Sequence, residues 1–329
     1  MIGLPMSVAL SPATSKLENP GAGQDSPSLP YVYLCSAPHS GSTLLACLLN
    51  AHSQIASVGE FGAPFNPQRL KCACGVMTGE CPFWNHWATL ARQAGIEFEI
   101  GNPQISLGWE PNRTVLTRLY YHQFVWQPMN RLRDSLFPSW TRCEQHASRA
   151  IDKSIRLARL LCRIVDKPVF FDSTKNTLQL RFLARRRNIR LKLISLVRDG
   201  RGVVNSVIRH YKTPPAKAVQ NWIEWMQQQQ AATRWLPPAD VLHVRLEELW
   251  HTPDEQFSRI LNFCGVDPIP LSALSFEPTD SHIVGNLMRY TFKGDIKPDY
   301  RWKTELDPAA LALFERRAGR LNRLLGAAD

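Results

Sequence analysis

Short apolar, β-prone runs recur along this chain, each followed by turn-forming residues and then by a segment with helical spacing. Tyr31 to Cys35 is the first, bounded by Pro30 and by the turn-rich stretch Ser36 to Gly41, after which Leu44 to Leu49 reads as helix. Val169 to Phe171, ending at Asp172, is a second strand. Leu191 to Val197 is a third and feeds a helix from about Gly202 to His210. Val241 to Val244 is a fourth and leads to a helix from about Pro253 to Cys264. Runs this apolar, alternating with helices, predict an α/β fold with a mostly parallel, doubly wound sheet and helices on both faces.

Two stretches break the pattern. Residues 84–150 are dense in Trp, Tyr, Phe, Gln and Arg, show no strand, and from Thr114 to Leu136 carry apolar positions at helical spacing. They predict a helical insert whose aromatics either pack into the core or form a cap lining an acceptor pocket. The first 29 residues are rich in Pro, Ser, Gly and Ala and lack a basic start followed by a long apolar run, which predicts a flexible tail rather than a secretory signal. A single catalytic domain is then expected over residues 30–329, and no internal repeat is visible.

Composition narrows the function. With 44% hydrophobic and 20% charged residues the chain is globular rather than disordered. No apolar run approaches the roughly 18 residues of a membrane span. Eight cysteines spread over 329 residues argue against a disulfide scaffold and for a cytoplasmic enzyme. A net charge of +11 calls for a polyanionic partner: nucleic acid, a lipid surface or a phosphorylated small molecule. A basic nucleic-acid-binding protein would gather its Lys and Arg into a stripe. Here they are scattered, and the one dense run, Arg185-Arg186-Arg187, reads as a solvated helix end.

The strand-to-helix segment Ala37-Pro38-His39-Ser40-Gly41-Ser42-Thr43 offers a place for an anion. Free N–H groups and the dipole at a helix start attract negative charge, Gly41 permits close approach, and Ser42 and Thr43 add hydroxyls. A nucleoside-triphosphate loop would carry a Lys before the Ser/Thr; Gly41 stands there instead, which weighs against a small-molecule or nucleoside kinase. Arg198, at the end of a strand, and Ser206, on the helix after it, form a second candidate phosphate clamp: a bidentate fork plus a neutral donor. On local spacing alone, Arg198-Asp199-Gly200-Arg201 could equally be a solvated turn with an internal ion pair.

The run SAPHSGSTLLACLLNAHSQIASVGE (residues 36–60) resembles the 5′-phosphosulfate-binding segment of sulfotransferases that use 3′-phosphoadenosine 5′-phosphosulfate (PAPS), with His39 where Arg or Lys is usual. LISLVRDGRGVVNSVIRHY (193–211) resembles that family's 3′-phosphate motif. FDSTKNT (171–177), HVRLEELWHTPDEQFSRILNFCGV (243–266), HIVGNLMRY (282–290) and YRWKTELDP (300–308) are similar to later family segments. The resemblance covers roughly residues 31–326 and implies a P-loop-NTPase-like central sheet, PAPS as co-substrate, a small-molecule or carbohydrate hydroxyl as acceptor, and no metal in catalysis. It places His39, Ser40, Gly41, Ser42, Thr43, Arg198, Ser206 and Arg289 at the donor. Lys175 joins His39 as a donor to the transferring or leaving oxygens. Glu60, in a Gly-Glu pair, is the expected general base, with His52 and His122 as rivals.

Cys72-Ala-Cys74-Gly75 and Cys81-Pro82-Phe83-Trp84 form the sole cysteine cluster, a string also similar to bacterial members of the family. Zinc with a fourth ligand such as His86, one disulfide, or a simple loop brace are all compatible with the spacing, and no metal is assigned. Cys35, Cys47, Cys162 and Cys264 lie in apolar runs and read as buried spacers.

Overall fold

The computed structural model describes residues 27–107, 119–122, 124, 127–136, 141–277 and 281–326. Five strands, β1 (Leu29–Cys35), β2 (Ile55–Ser57), β3 (Val169–Asp172), β4 (Ile189–Val197) and β5 (Val241–Arg245), form one sheet in the order β2-β3-β1-β4-β5. All pairings are parallel. Helix α1 (Ser42–Ala51) follows β1, while α2 (Pro82–Gln93), α3 (Gln127–Leu136) and α4 (Thr141–Ile164) lie between β2 and β3. Helix α5 (Thr177–Leu183) joins β3 to β4, and α6 (Gly200–Tyr211) and α7 (Pro215–Thr233) join β4 to β5. The chain then continues through α8 (Leu246–His251), α9 (Pro253–Cys264), α10 (Trp302–Glu305) and α11 (Pro308–Leu324).

Strand β1 is central and buried on both faces, which is why its sequence is apolar throughout. Because side chains alternate along a strand, Tyr31, Tyr33 and Cys35 face the layer of α2, α4 and α5, whereas Val32 and Leu34 face α1 and α9. A third apolar cluster joins α6, α7 and α11 around Trp222 and Phe314. The strand order reverses direction at β1, and in such sheets the crevice beyond the strand C-termini at that point is where ligands sit.

The expected strands and helices are present, with some edges moved. Strand β1 begins at Leu29, which is buried, so this strand starts one residue inside the predicted tail; residues 1–26 of that tail lie outside the described residues. Strand β2 was not anticipated: three residues carry too little periodicity to be seen. The insert is helical where described, and residues 114–118 of its predicted helix lie outside that range. Its Trp84, Trp87, Phe98, Tyr120 and Tyr121 are buried in the same core layer as β1, so these aromatics pack the fold. Arg185 and Arg187 are exposed just past the end of α5, and Arg185 pairs with Glu144 at 3.5 Å and Arg186 with Asp152 at 3.1 Å. No helix among the described residues is long and apolar enough to cross a membrane.

Candidate active site

The loop between β1 and α1 is built to leave polar atoms unpaired. Gly41 caps α1 in a left-handed conformation (φ 88°) and supplies no side-chain cap, so the first-turn N–H groups of α1 face outward. Ser40 is buried, and its hydroxyl, that of Ser36 and His39 Nε2 have no hydrogen-bond partner among the described residues. Buried polar atoms without partners cost free energy, and three of them gather around this one helix N-terminus, which makes it the candidate site.

Lys175 reaches this loop from β3. Asp172 ends the strand fully buried and accepts from Tyr31 Oη at 2.8 Å and from the Thr174 N–H and hydroxyl at 2.9 and 2.5 Å. That bracket sets the turn, Asn176 caps α5, and between them Lys175 takes a left-handed backbone (φ 67°). Its Nζ lies 3.3 Å from Ser42 Oγ and 2.5 Å from Glu60 Oε1. His39 is also left-handed (φ 60°). Each such non-glycine residue costs about 1–2 kcal/mol, held here by the surrounding fold. A cleft of about 220 Å³ opens beside Lys175, lined by Ser36, Asn176, Thr177, Trp225 and Gln228 among others.

Glu60 is placed from the far edge of the sheet. Beyond β2 the segment Val58 to Glu60 pairs with Val284: Val284 N–H donates to Val58 O at 2.8 Å and Glu60 N–H donates to Val284 O at 3.1 Å. Gly59 must be glycine, since φ is 76° and a Cβ there would lie 2.1 Å from the Val284 carbonyl oxygen. The continuation of that loop returns to the phosphate loop, where Asn286 N–H donates to Thr43 Oγ1 at 3.1 Å.

Arg198 and Ser206 both touch Gly202, near the start of α6. The Arg198 guanidinium lies over Gly202, at 3.0 Å from a Cβ built there, and Ser206 donates to the Gly202 carbonyl one turn along α6. Arg198 also donates to His39 O at 2.9 Å and pairs with Asp299 at 3.0 Å, so it ties the phosphate loop to the C-terminal segment. The internal ion pair of the turn does exist, but between Asp199 and Arg201 at 2.7 Å, and Arg198 is outside it. Hydrogen bonding from Arg301, with Arg198 alongside, holds the Asp299 carboxyl far below the ordinary carboxylate range.

Surroundings separate the histidines. Burial first, then the neighbouring His210, Lys175 and Arg198, lowers His39 to about 4, so at neutral pH it is an uncharged imidazole stacked on His210 at 5.0 Å. His39 therefore offers the site a ring N–H and no charge. His52 is buried and structural: its Nδ1 accepts from Gln54 N–H at 3.1 Å, which leaves Nε2 to donate to Asp267 O at 3.0 Å. Both ring nitrogens being used, His52 is no rival base. His122 is exposed in the insert, against Phe124. Burial raises Asp172 to about 6.

Arg289 is buried, and its guanidinium meets the Gly285 and Lys71 carbonyls and the Tyr290 ring, so it braces the 282–290 loop, while its Nε has no partner among the described residues. The same loop resolves the cysteine cluster. Cys72, Cys74 and Cys81 converge on His282, with their ligand atoms all within 4.8 Å of one another, while His86 is exposed on α2. Sequence reading missed His282, Asp299 and the Asp172–Thr174 bracket. His282 opens the HIVGNLMRY segment, 210 positions beyond Cys72, and no local spacing links them.

A family model described as the sulfotransferase family matches residues 30–270. No curated protein matches the sequence. Among solved structures, the sulfotransferase domain of the Synechococcus PCC 7002 olefin synthase is similar at 17% identity, over 92% of this chain and 98% of that one, with a TM-score of 0.49. The sulfotransferase domain from the curacin biosynthetic pathway is similar at 18% identity, over 90% and 97%, with a TM-score of 0.45. Sulfotransferase STF9 from Mycobacterium avium is similar at 14% identity, over 90% and 78%, with a TM-score of 0.44.

Proposed function

Because the chain belongs to the sulfotransferase family and is a sulfuryl-transferring enzyme, we propose that its donor is PAPS and its acceptor a hydroxyl of a small molecule or carbohydrate. The observation that carries this reading is the convergence of Lys175 on Ser42, in the anion-binding loop, and on Glu60, at hydrogen-bonding distance from both. A cation between an anion site and a carboxylate is what in-line transfer of a charged group needs.

In this reading the N–H groups and hydroxyls of Ser40 to Thr43 hold the 5′-phosphosulfate, and Arg198 with Ser206 holds the 3′-phosphate. Glu60 takes the proton of the acceptor hydroxyl as its oxygen bonds to sulfur. The bond from sulfur to the 5′-phosphate oxygen breaks, and Lys175, the loop N–H groups and the His39 N–H stabilise the charge left on that oxygen. The products are a sulfate ester and adenosine 3′,5′-bisphosphate. Arg289 serves the donor site through the loop it braces. We assign acceptor selection to the cleft beside Lys175 and to the insert at 84–150. The cytoplasm is the compartment we assign, on the thin spread of unpaired cysteines.

Thermal-shift comparison tests the donor. Adenosine 3′,5′-bisphosphate raises Tm, by RT ln(1 + [L]/Kd) in free energy, whereas ATP with magnesium and an oligonucleotide do not. Stabilisation by ATP-magnesium or by the oligonucleotide, with none by the bisphosphate, overturns the reading. Labelled PAPS offered to a panel of hydroxylated acceptors then identifies the substrate.

A further inference from the structure

Three sulfurs and an imidazole meet at the end of the molecule where α2 begins. The chain approaches through a tight knuckle: Cys72 N–H donates to Val76 O at 2.8 Å, Gly75 N–H donates back to Cys72 O at 3.0 Å, and Gly75 takes φ 98° at the tip. Cys81 sits at the N-cap of α2. Backbone N–H groups of Cys74, Val76 and Trp84 hydrogen-bond the sulfurs of Cys72, Cys74 and Cys81 in turn. His282 arrives from the far end of the sequence, its ring stacked on Phe83 at 4.0 Å and 6°, with Nδ1 turned to the sulfurs.

The distances discriminate between the open possibilities. Cys74 Sγ lies 3.6 Å from Cys81 Sγ, and His282 Nδ1 lies 3.3 Å from Cys72 Sγ and 3.6 Å from Cys81 Sγ. A disulfide needs its sulfurs at about 2.05 Å. Ligands of tetrahedral zinc, with Zn–S about 2.3 Å, sit about 3.8 Å apart. The separations match the edges of a coordination tetrahedron, and the N–H bonds to sulfur are the outer support such thiolates receive.

We propose that Cys72, Cys74, Cys81 and His282 bind one structural zinc ion. Three thiols give up their protons to solvent and the imidazole binds through Nδ1, with no electron transferred. Four protein ligands close the site, so the ion carries no water and is structural, not catalytic. It rivets the knuckle and α2 to the segment His282 to Arg289. That segment pairs with Val58 and Glu60 through Val284 and with Thr43 through Asn286, so the ion fixes the frame of the active site from outside it.

The inference does not depend on the transfer reading, and its test needs no substrate. Full-length protein purified without added metal is analysed by inductively coupled plasma mass spectrometry, with about one zinc per chain expected. His282→Ala and Cys74→Ser each lower that content, and His86→Ala leaves it unchanged. Because a ligand variant could fail to fold, wild-type protein is also stripped with a chelator and refilled with Co(II). Tetrahedral d–d bands with thiolate charge-transfer absorption are expected, together with a Tm about 5 °C or more lower for the stripped form and recovery on adding zinc. Absence of zinc together with an octahedral Co(II) spectrum overturns the proposal. Loss of two titratable thiols in the denatured protein, marking a Cys74–Cys81 disulfide, also overturns it, as does zinc lost in His86→Ala but kept in His282→Ala.

Discussion

The phosphate loop and the cysteine knuckle have the same local design. Each is a tight turn running into a helix N-terminus, Ser36–Gly41 into α1 and Cys72–Cys81 into α2, and each turns on a left-handed glycine, Gly41 at φ 88° and Gly75 at φ 98°. They differ in what faces the centre. The phosphate loop presents N–H groups and hydroxyls with Lys175 and Arg198 nearby, the lining that the proposed anionic donor requires. The knuckle turns its N–H groups onto its own sulfurs and presents those sulfurs inward, so it collects a cation. One backbone device thus makes sites of opposite sign, and the side chains alone decide which.

Four measurements press on that contrast, the largest expected effect first. Glu60→Gln removes the group that only the anion-binding side needs: kcat falls about 100- to 10,000-fold with Tm nearly unchanged. His52→Gln, by contrast, costs stability and leaves kcat within a few-fold. Turnover retained in Glu60→Gln would detach the carboxylate from the chemistry.

Next come the glycines, which act by geometry. Gly59→Ala drives a Cβ onto the Val284 carbonyl and lowers stability by about 3 kcal/mol in urea denaturation. Gly75→Ala, left-handed but with nothing within 4 Å, lowers it by about 1 kcal/mol. Equal losses would show that the close approach at Gly59 is not what the fold depends on.

Arg198→Met removes the charge fork while Lys175 and the loop remain. Adenosine 3′,5′-bisphosphate binding, followed by calorimetry, weakens about 30-fold, or about 2 kcal/mol.

The smallest effect is on pH dependence. His39 titrates at about 4 in the folded chain against an ordinary 6.5, so the unfolded chain binds more protons and His39 makes stability fall as pH drops from about 6.5 to 4. Asp172, raised to about 6 from 3.8, has the opposite sign: its contribution is fully present below about 3.8 and is lost as pH rises through about 6. His39→Asn should therefore lose less stability than wild type between pH 6.5 and 4.5. Parallel curves would mean that His39 is not held neutral.

Legibility in the sequence follows the range of the contacts. Strands β1, β3, β4 and β5 and helices α1, α6 and α9 were readable because each is specified by its own run of side chains. Strand β2 and the long helix α7 were not read: the first is too short to show a period, and the second is rich in Gln and Trp with weak polarity contrast. Ser40 to Thr43, Arg198 with Ser206, Lys175 and Glu60 were legible as motifs. Their convergence was not, because the contact from Lys175 to Glu60 spans 115 positions and depends on β3 lying beside both β1 and β2. The charge state of His39 was equally hidden, being set by burial and by cations from α6 and β3.

By itself, then, the sequence determined the alternation of strand and helix, the glycine-capped turn into α1, and the strand-turn-helix unit that carries Arg198 and Ser206, since these depend on backbone geometry and on residues within a few turns of one another. The tertiary structure alone decided which cation meets which carboxylate, that His39 is neutral, that Arg289 braces a loop, and that His282 rather than His86 joins the cysteines. Those outcomes depend on desolvation and on distances across strands, and a one-dimensional pattern encodes neither.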